Sequence, residues 1–357
     1  MKYGLWIALF ALAGCAGEKA PKTDAPAAPT KTTADTPTQA QPDKTPAAKK
    51  SVVVYSGRSA VLMEPLFEQF TQATGIEIKA RYDKSTQVLA ERLATEGAQT
   101  DADLFLAQDS GFLGALAKAG HLRPLPAASL ARVGDHAKGK DGLWLGTSGR
   151  LRVLVYSPQR VKPEELPNSL ADLTDPKWKK RIGWAPSNGS FQAHVSALRQ
   201  IWGEQKTSQF LKDVAANEPT VYPKNSPQVK AVSNGEIDIG WVNHYYLHKL
   251  KAANPDLKAA NHSFPNKGDA GNVMMISGVA ISRHAKNVAT AEQLVAFLVS
   301  KTAQTYFKDK VFEYPTVSDV SPPAAVSGLL ENLSPVKQEA LSDVGPTLTM
   351  LRELGLQ

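Results

Sequence analysis

The amino-acid sequence predicts an α/β protein whose folded part has two lobes, each a mainly parallel sheet flanked by helices. From position 51 the chain alternates strand and helix signals, an order that produces parallel strands joined by crossover helices. A second alternation begins after a long apolar strand at 150–156. About 307 residues follow position 50, which is more than one hydrophobic core normally serves.

The first lobe begins with a βαβαβ unit. Short β-branched or alternating apolar runs predict its strands, and apolar residues at helical spacing predict its helices. Glycine is typical of the position just after a helix. The predicted strands lie at 52–55, 76–82 and 103–107, and the two helices end before Gly75 and Gly97.

The strand at 150–156 is followed by Pro158 and suits a crossing between lobes. In the second lobe, Ser226 is expected to cap a helix whose first residue is Pro227. The other predicted elements there are strands at 182–184 and 221–222, helices at 191–202 and 210–216, and a strand that begins with the apolar run 237–240 and leads to Tyr245-Tyr246.

An apolar run at 273–281 is expected to carry the chain back to the first lobe, with a helix around 294–298 after it. The last residues, 329–354, have a helical pattern. We therefore assign 51–150 and 276–326 to lobe 1, and 151–275 and 327–357 to lobe 2.

The amino terminus has the pattern of a lipoprotein signal. Residues 1–14 combine Lys2 with an apolar run too short to span a bilayer, and Leu12-Ala13-Gly14-Cys15 resembles the bacterial lipobox. Cys15 is the only cysteine and the expected lipidation site, which excludes an intramolecular disulfide. Residues 15–50 are rich in Ala, Pro and Thr, and from position 16 lack large apolar side chains, so we expect a disordered tether. An extracytoplasmic, lipid-anchored protein is predicted.

Composition and motifs argue against several functions. The net charge of +7 is modest, basic residues are scattered and no nucleic-acid motif is present, so a nucleic-acid partner is not expected. The chain contains neither a nucleophile elbow nor a phosphate-binding glycine loop. His244 and His248 have the spacing of two zinc ligands, but Tyr245 occupies the position where a zinc protease carries its catalytic Glu. We expect no catalytic activity.

The adjacent Tyr245 and Tyr246 are the leading candidates for a functional site. They stand where the buried strand that begins with the apolar run 237–240 is expected to end, and ligands of open α/β sheets bind outside the carboxyl ends of the strands. The alternative is that two aromatic side chains pack in the core or at its rim.

Six short motifs occur in an order and spacing that resembles the ferric-iron-binding solute-binding proteins of ABC importers. The resemblance extends from Ser51 to about Thr316. The motifs are VYSGRS (54–59), ADLF (102–105), SGR (148–150), DPKWK (175–179), YPKNS (222–226) and NHYY (243–246).

The resemblance implies a type II periplasmic-binding-protein fold with a ligand cleft between its lobes. It further implies that Tyr245 and Tyr246 supply phenolate oxygens to Fe³⁺ and that a synergistic anion, such as carbonate, phosphate or citrate, completes the coordination. Positions that match the anion cradle are Asn188-Gly189, Asn225 and Asn243. Implied partners are the permease and its ATPase, and we expect a monomer.

The chain departs from the family at the first-lobe ligands. Some relatives place a His and a Glu on the metal where Ser59 and Gln108 stand here, beside Arg58 and Asp109. Asp109 is either a substitute ligand or the cap of a helix near Ser110. Arg58, Arg150 and Arg152 either attract the anion or form ion pairs. The alternative function is the same fold binding another small solute: a ferric chelate, an organic anion, a phosphonate or a polyamine.

Overall fold

The structure is a computed structural model, and it describes residues 50–83, 85–323, 330, 332–338, 341 and 343–356. The predicted signal peptide, Cys15 and all of the predicted tether except Lys50 lie outside the described residues. None of the helices in the described part of the chain has the length and apolarity needed to cross a bilayer.

The described residues form a mixed sheet of ten strands, in the spatial order β2-β1-β3-β10-β5-β8-β6-β7, with β4 beside β10 and β9 beside β5. The strands are β1 (Ser51–Ser56), β2 (Glu77–Tyr82), β3 (Leu104–Ala107), β4 (Leu122–Arg123), β5 (Leu145–Tyr156), β6 (Ile182–Trp184), β7 (Thr220–Val221), β8 (Ile239–Asn243), β9 (Ala260–His262) and β10 (Met274–Ser282).

The prediction of mainly parallel sheets holds only for the outer strands. β1 is parallel to β2 and β3, and β6 is parallel to β7 and β8. The central strands β5 and β10 are antiparallel to every strand they contact. Neither strand is joined to a neighbour by the kind of crossover connection that consecutive parallel strands require.

The central strand β5 changes neighbours along its length. Residues 145–151 pair with β10, whereas residues 152–156 pair with β8. We call β1–β4, β10 and residues 145–151 the first wing, together with the residues at 57–144 and 283–323 that connect or follow these strands. The second wing is β6–β9 and residues 152–156, together with the residues at 157–272 that connect or follow them. The boundaries predicted for the two lobes remain a prediction.

Helices follow the parallel strands as the alternation predicts, and α1 shows why. Its buried Met63, Leu66, Phe67 and Phe70 recur at helical spacing, and Gly75 ends it in the left-handed conformation, with φ of 72°. The helices are α1 (Ala60–Thr74), α2 (Thr86–Glu96), α3 (Ser110–Lys118), α4 (Ala127–Leu130), α5 (Gly189–Trp202), α6 (Glu204–Ala216), α7 (Asn225–Asn234), α8 (Tyr245–Ala253), α9 (Val288–Leu298), α10 (Lys301–Tyr306) and α11 (Val344–Glu353).

Two predictions of local structure are wrong, and a third is confirmed only in part. Helix α7 begins at Asn225 rather than Pro227, and Ser226 does not cap it; the proline is tolerated because the first N–H groups of a helix have no intrahelical acceptor. The helical pattern at 329–354 gives an α-helix only over Val344–Glu353 among the residues described. Asp109 precedes α3 without a capping hydrogen bond, because its carboxylate binds an arginine instead.

The core consists of separate apolar clusters on the two wings, and it also contains buried arginines. One apolar cluster packs α1 and α9 against the first wing, and another packs Trp178, Trp184 and Trp241 in the second wing. Three of the largest fully buried side chains are arginines: Arg58, Arg150 and Arg152. Because a buried charge must be paired or hydrogen-bonded, each of these arginines is expected to have polar or acidic partners inside the protein.

Candidate metal centre

The two candidate phenols lie at the junction of a buried strand and a helix. β8 ends at Asn243, and α8 begins at Tyr245. The rings of Tyr245 and Tyr246 stack with their centroids 4.2 Å apart. Tyr245 is only 8% exposed, and Tyr246 is half-buried. Burial raises the pKa of Tyr245 well above its usual value of 10; Tyr246 and Glu313 raise it further, and Arg150 lowers it. Without a cation beside it, the Tyr245 phenol is therefore neutral.

His244 is a structural residue and has no lone pair left for a metal. Its Nδ1 accepts a hydrogen bond from the Leu151 backbone N–H at 3.0 Å, so the proton is on Nε2, which donates to the Phe312 carbonyl at 2.9 Å. Burial lowers its pKa to about 3, with His248 as a second cause. Among the described residues, no group of three or more His, Cys, Asp or Glu side chains is placed to hold a metal. The zinc-ligand interpretation of His244 and His248 is wrong.

Arg152 is buried among neutral groups close to the phenols. Its guanidinium donates to the Asn243 amide oxygen at 2.9 Å, the Trp241 carbonyl at 2.9 Å, and more distantly to Ser190, Asn225 and His194. Burial lowers its pKa to about 9, which Tyr246 and Tyr245 oppose and Arg150 reinforces. The group therefore remains protonated at pH 7, and none of its hydrogen-bond partners is negatively charged.

The predicted anion-cradle positions come together around this arginine. Asn225 donates to the Asn188 amide oxygen at 3.2 Å, and Ser190 donates to the same oxygen at 2.6 Å. Gly189 is exposed, and a Cβ built on it meets no atom within 4 Å. Asn243 joins the group through Arg152. The structure therefore assembles Asn188, Asn225 and Asn243, and leaves open space at Gly189.

Three helix N-termini face the same edge of the sheet. Helices α5, α7 and α8 follow β6, β7 and β8, which run parallel, so all three helices begin at the carboxyl ends of these strands. Asn188 caps α5 by accepting from the Ser190 N–H at 3.1 Å. Helix N-termini carry partial positive charge and unpaired N–H groups, which favour anions.

The first wing presents charges that are already paired. Arg58 donates to Glu313 at 2.9 Å and to Ser277 at 2.8 Å, and the Ser148 hydroxyl donates to the same Glu313 oxygen at 2.5 Å. Glu313 follows a π-helical turn, Phe307–Val311, and Phe312, whose φ is 62°. Of the two roles considered for Arg58, the structure shows the ion pair.

Arg150 and Asp109 form the second buried pair. Arg150 Nη2 contacts Asp109 Oδ1 at 2.5 Å and also donates to the Gln108 carbonyl. Burial lowers the pKa of Arg150, but Asp109, Glu313 and Tyr245 outweigh this effect and raise it overall. Asp109 is therefore an ion-pair partner rather than a helix cap.

Ser59 and Gln108, the positions that match the family's first-lobe ligands, make no hydrogen bond to the phenols in the described part of the chain. Ser59 is exposed before α1 and makes no capping hydrogen bond, and the Gln108 side-chain oxygen accepts from Arg58 at 3.4 Å. Reasoning from sequence missed Glu313 and Ser190 entirely and did not separate Arg152 from the other arginines. The spacing of Arg150 and Arg152, two apart on one strand, was the available signal for a charged face.

Comparison with known proteins identifies related sequences. A family model described as bacterial extracellular solute-binding protein matches residues 100–334. A major ferric iron-binding protein of Neisseria meningitidis is 34% identical over 274 residues, which cover 75% of this chain and 81% of that protein.

Solved structures of iron-binding proteins also superpose on this chain. The iron-bound HitA structure from Pseudomonas aeruginosa superposes with a TM-score of 0.79 and 31% identity, covering 86% of this chain and all of that one. A Trichodesmium protein in complex with iron and citrate superposes with a TM-score of 0.75 and 27% identity over the same fraction of this chain. These matches confirm the predicted two-lobed fold class.

Proposed function

Because the chain belongs to the family of bacterial extracellular solute-binding proteins, we propose that it captures Fe³⁺ together with an anion. Tyr245 and Tyr246 are the proposed protein ligands, and Asn188, Gly189, Asn225 and Asn243 form the anion cradle. The protein is a receptor and not an enzyme in this proposal.

The observation that carries the proposal is a stacked pair of phenols beside a buried, uncompensated guanidinium. A trivalent hard cation displaces the proton of a phenol, whose ordinary pKa is about 10, and gains an anionic oxygen ligand. Arg152 and three helix N-termini stabilise the negative charge that the phenolates and the anion bring. The arrangement suits a cation held by oxygen and balanced by anions.

Delivery follows from the two-lobed architecture. We propose that the lobes close over the iron about the central strand β5, whose two halves pair with strands of the two wings. A permease with its ATPase would then distinguish the loaded receptor from the empty one. The receptor is proposed to be a monomer outside the cytoplasm, anchored to a bacterial membrane through a lipid on Cys15.

Visible absorption tests the proposal directly. Apo-protein loaded with Fe³⁺ in carbonate, phosphate or citrate should develop a phenolate-to-iron charge-transfer band. Tyr245→Phe and Tyr246→Phe should each lose most of that absorbance. Tyr82→Phe is the matched control, because Tyr82 lies on edge strand β2 and its buried hydroxyl has no hydrogen-bond partner among the described residues. A protein that stays colourless with all three anions contradicts the proposal.

A second candidate ligand is a ferric chelate rather than iron with a small inorganic anion. It is favoured by Ser59, which is exposed, and Gln108, whose oxygen is bound to Arg58, because neither supplies an evident first-wing ligand. A bound chelate would fill those positions itself. The iron-to-citrate ratio of protein loaded with ferric citrate, compared with protein loaded in carbonate, separates the two candidates.

A further inference from the structure

We infer that Arg152 makes the site select a doubly charged anion over a singly charged one. This inference rests on the proposed function, because it concerns the anion that accompanies the iron. Arg152 lies within the predicted cradle, where one of its nitrogens contacts Asn243, Asn225 and Ser190 at 2.9, 3.4 and 3.3 Å.

The charges of the site support this selectivity. Arg58 is neutralised by Glu313 at 2.9 Å, and Arg150 by Asp109 at 2.5 Å. The partners of Arg152 are two amide oxygens, a hydroxyl, a backbone carbonyl and a histidine nitrogen, all neutral. Iron brings three positive charges and Arg152 one, and two phenolates cancel two of these four. A dianion therefore makes the buried site neutral, whereas a monoanion leaves one uncompensated charge.

Arg152 also fixes which atoms of two cradle amides it contacts. A guanidinium only donates, so the Asn225 and Asn243 atoms that contact it are their amide oxygens. The NH₂ group of Asn243 donates to no other group in the described part of the chain. It is therefore available to donate to an anion, whereas the NH₂ group of Asn225 already donates to Asn188 and Ser190.

The test compares carboxylate anions that differ in charge. Fe³⁺ is bound to full-length protein in malonate or in acetate, and its apparent affinity is obtained by chelator competition followed at the charge-transfer band. The wild-type protein should bind iron more tightly in malonate. In Arg152→Gln the malonate-to-acetate affinity ratio should fall by about tenfold or more, the size expected for removing one charge near another in a partly buried site.

Two variants separate the effect of the Arg152 charge from the effect of disturbing the fold around it. Arg152→Lys retains the charge and should keep a ratio closer to the wild-type value, even if it lowers stability. Lys249→Gln removes the same charge from an exposed position on α8 and should leave the ratio unchanged. If Arg152→Gln unfolds, the malonate-to-acetate affinity ratio of Arg152→Lys is compared with that of wild type, and this comparison still tests whether the charge at position 152 sets the ratio.

The outcomes distinguish this inference from the proposed function. A wild-type protein without a phenolate band in any anion overturns the proposed function. A coloured wild-type protein that prefers acetate, or whose ratio is the same in Arg152→Gln, overturns only the role of Arg152. A ratio that falls equally in Arg152→Lys and Arg152→Gln also overturns it, because the hydrogen bonds rather than the charge would then be responsible.

Discussion

Two buried neutral histidines should make the protein unstable in mild acid. Burial lowers the pKa of both His194 and His244 to about 3, whereas an unfolded histidine titrates near 6.5. The His194 Nδ1 accepts from the Trp241 indole N–H at 2.9 Å and from Arg152 at 3.3 Å, and its Nε2 contacts the Ala270 carbonyl at 2.7 Å. A second proton would meet these donors directly.

The change in the free energy of unfolding with pH depends on how many protons the folded and unfolded chains bind. Below pH 6.5 the unfolded chain binds protons that the folded protein cannot, so stability is lost as the pH falls from 6.5 towards 3. Between pH 7 and pH 5 each histidine should cost about 2 kcal/mol of the free energy of unfolding, and the two together about 4 kcal/mol.

His244→Asn isolates one of these contributions. The amide oxygen can replace Nδ1 as the acceptor for the Leu151 N–H, whereas the bond to the Phe312 carbonyl is lost, at a cost of about 1–3 kcal/mol at pH 7. Because the variant lacks the titrating group, the stability difference from wild type should shrink by about 2 kcal/mol at pH 5.

Urea denaturation of the iron-free protein at both pH values measures these differences. His284→Asn is the control, since His284 is exposed, and it reports what the same change does outside the core. A difference between His244→Asn and wild type that is the same at pH 7 and pH 5 would refute the reasoning.

Three further predictions concern the metal, the first wing and the anchor. Each phenol releases one proton on binding iron, so the apparent iron affinity in malonate should rise about 100-fold per pH unit below pH 9. In Tyr246→Phe, which releases one proton fewer, it should rise only about tenfold per unit. Chelator competition measures the pH dependence of each protein, and equal slopes would contradict the role of Tyr246. Asp103→Ala should lower the free energy of unfolding by about 3 kcal/mol or more, because the buried carboxylate accepts from the backbone N–H groups of Val53, Lys286 and Asn287 at 2.8–2.9 Å. A urea midpoint unchanged from wild type would exclude that contribution. A fatty-acid probe should label the mature protein and not Cys15→Ser, and label retained in the variant would place the lipid elsewhere.

The local sequence predicted the elements and the position of the tyrosine pair well. Apolar spacing is a property of neighbouring residues, so the strands and most helices lie close to where it places them. Tyr245 and Tyr246 are adjacent in sequence, and the strand before them ends where the pattern predicts. The assignment of both as metal ligands remains a prediction.

The long-range polar pairs were not predictable in the same way. Arg58 and Glu313 are 255 positions apart, and no local pattern connects them. The same holds for Arg150 and Asp109, 41 positions apart, whose pairing deprives α3 of its expected cap. The antiparallel centre of the sheet likewise depends on how β10 returns beside β5, which a strand pattern does not specify.

These pairs also bear on the missing first-lobe ligands. The carboxylates Glu313 and Asp109 each neutralise a buried arginine, and freeing either one for a metal would leave an unpaired buried charge, at a cost of several kcal/mol. Neither of these two carboxylates can therefore bind iron without a penalty. The second wing has the opposite imbalance, since Arg152 has no carboxylate partner. In this chain the anion, rather than a side chain of the first wing, is the group best able to balance the charge that iron brings.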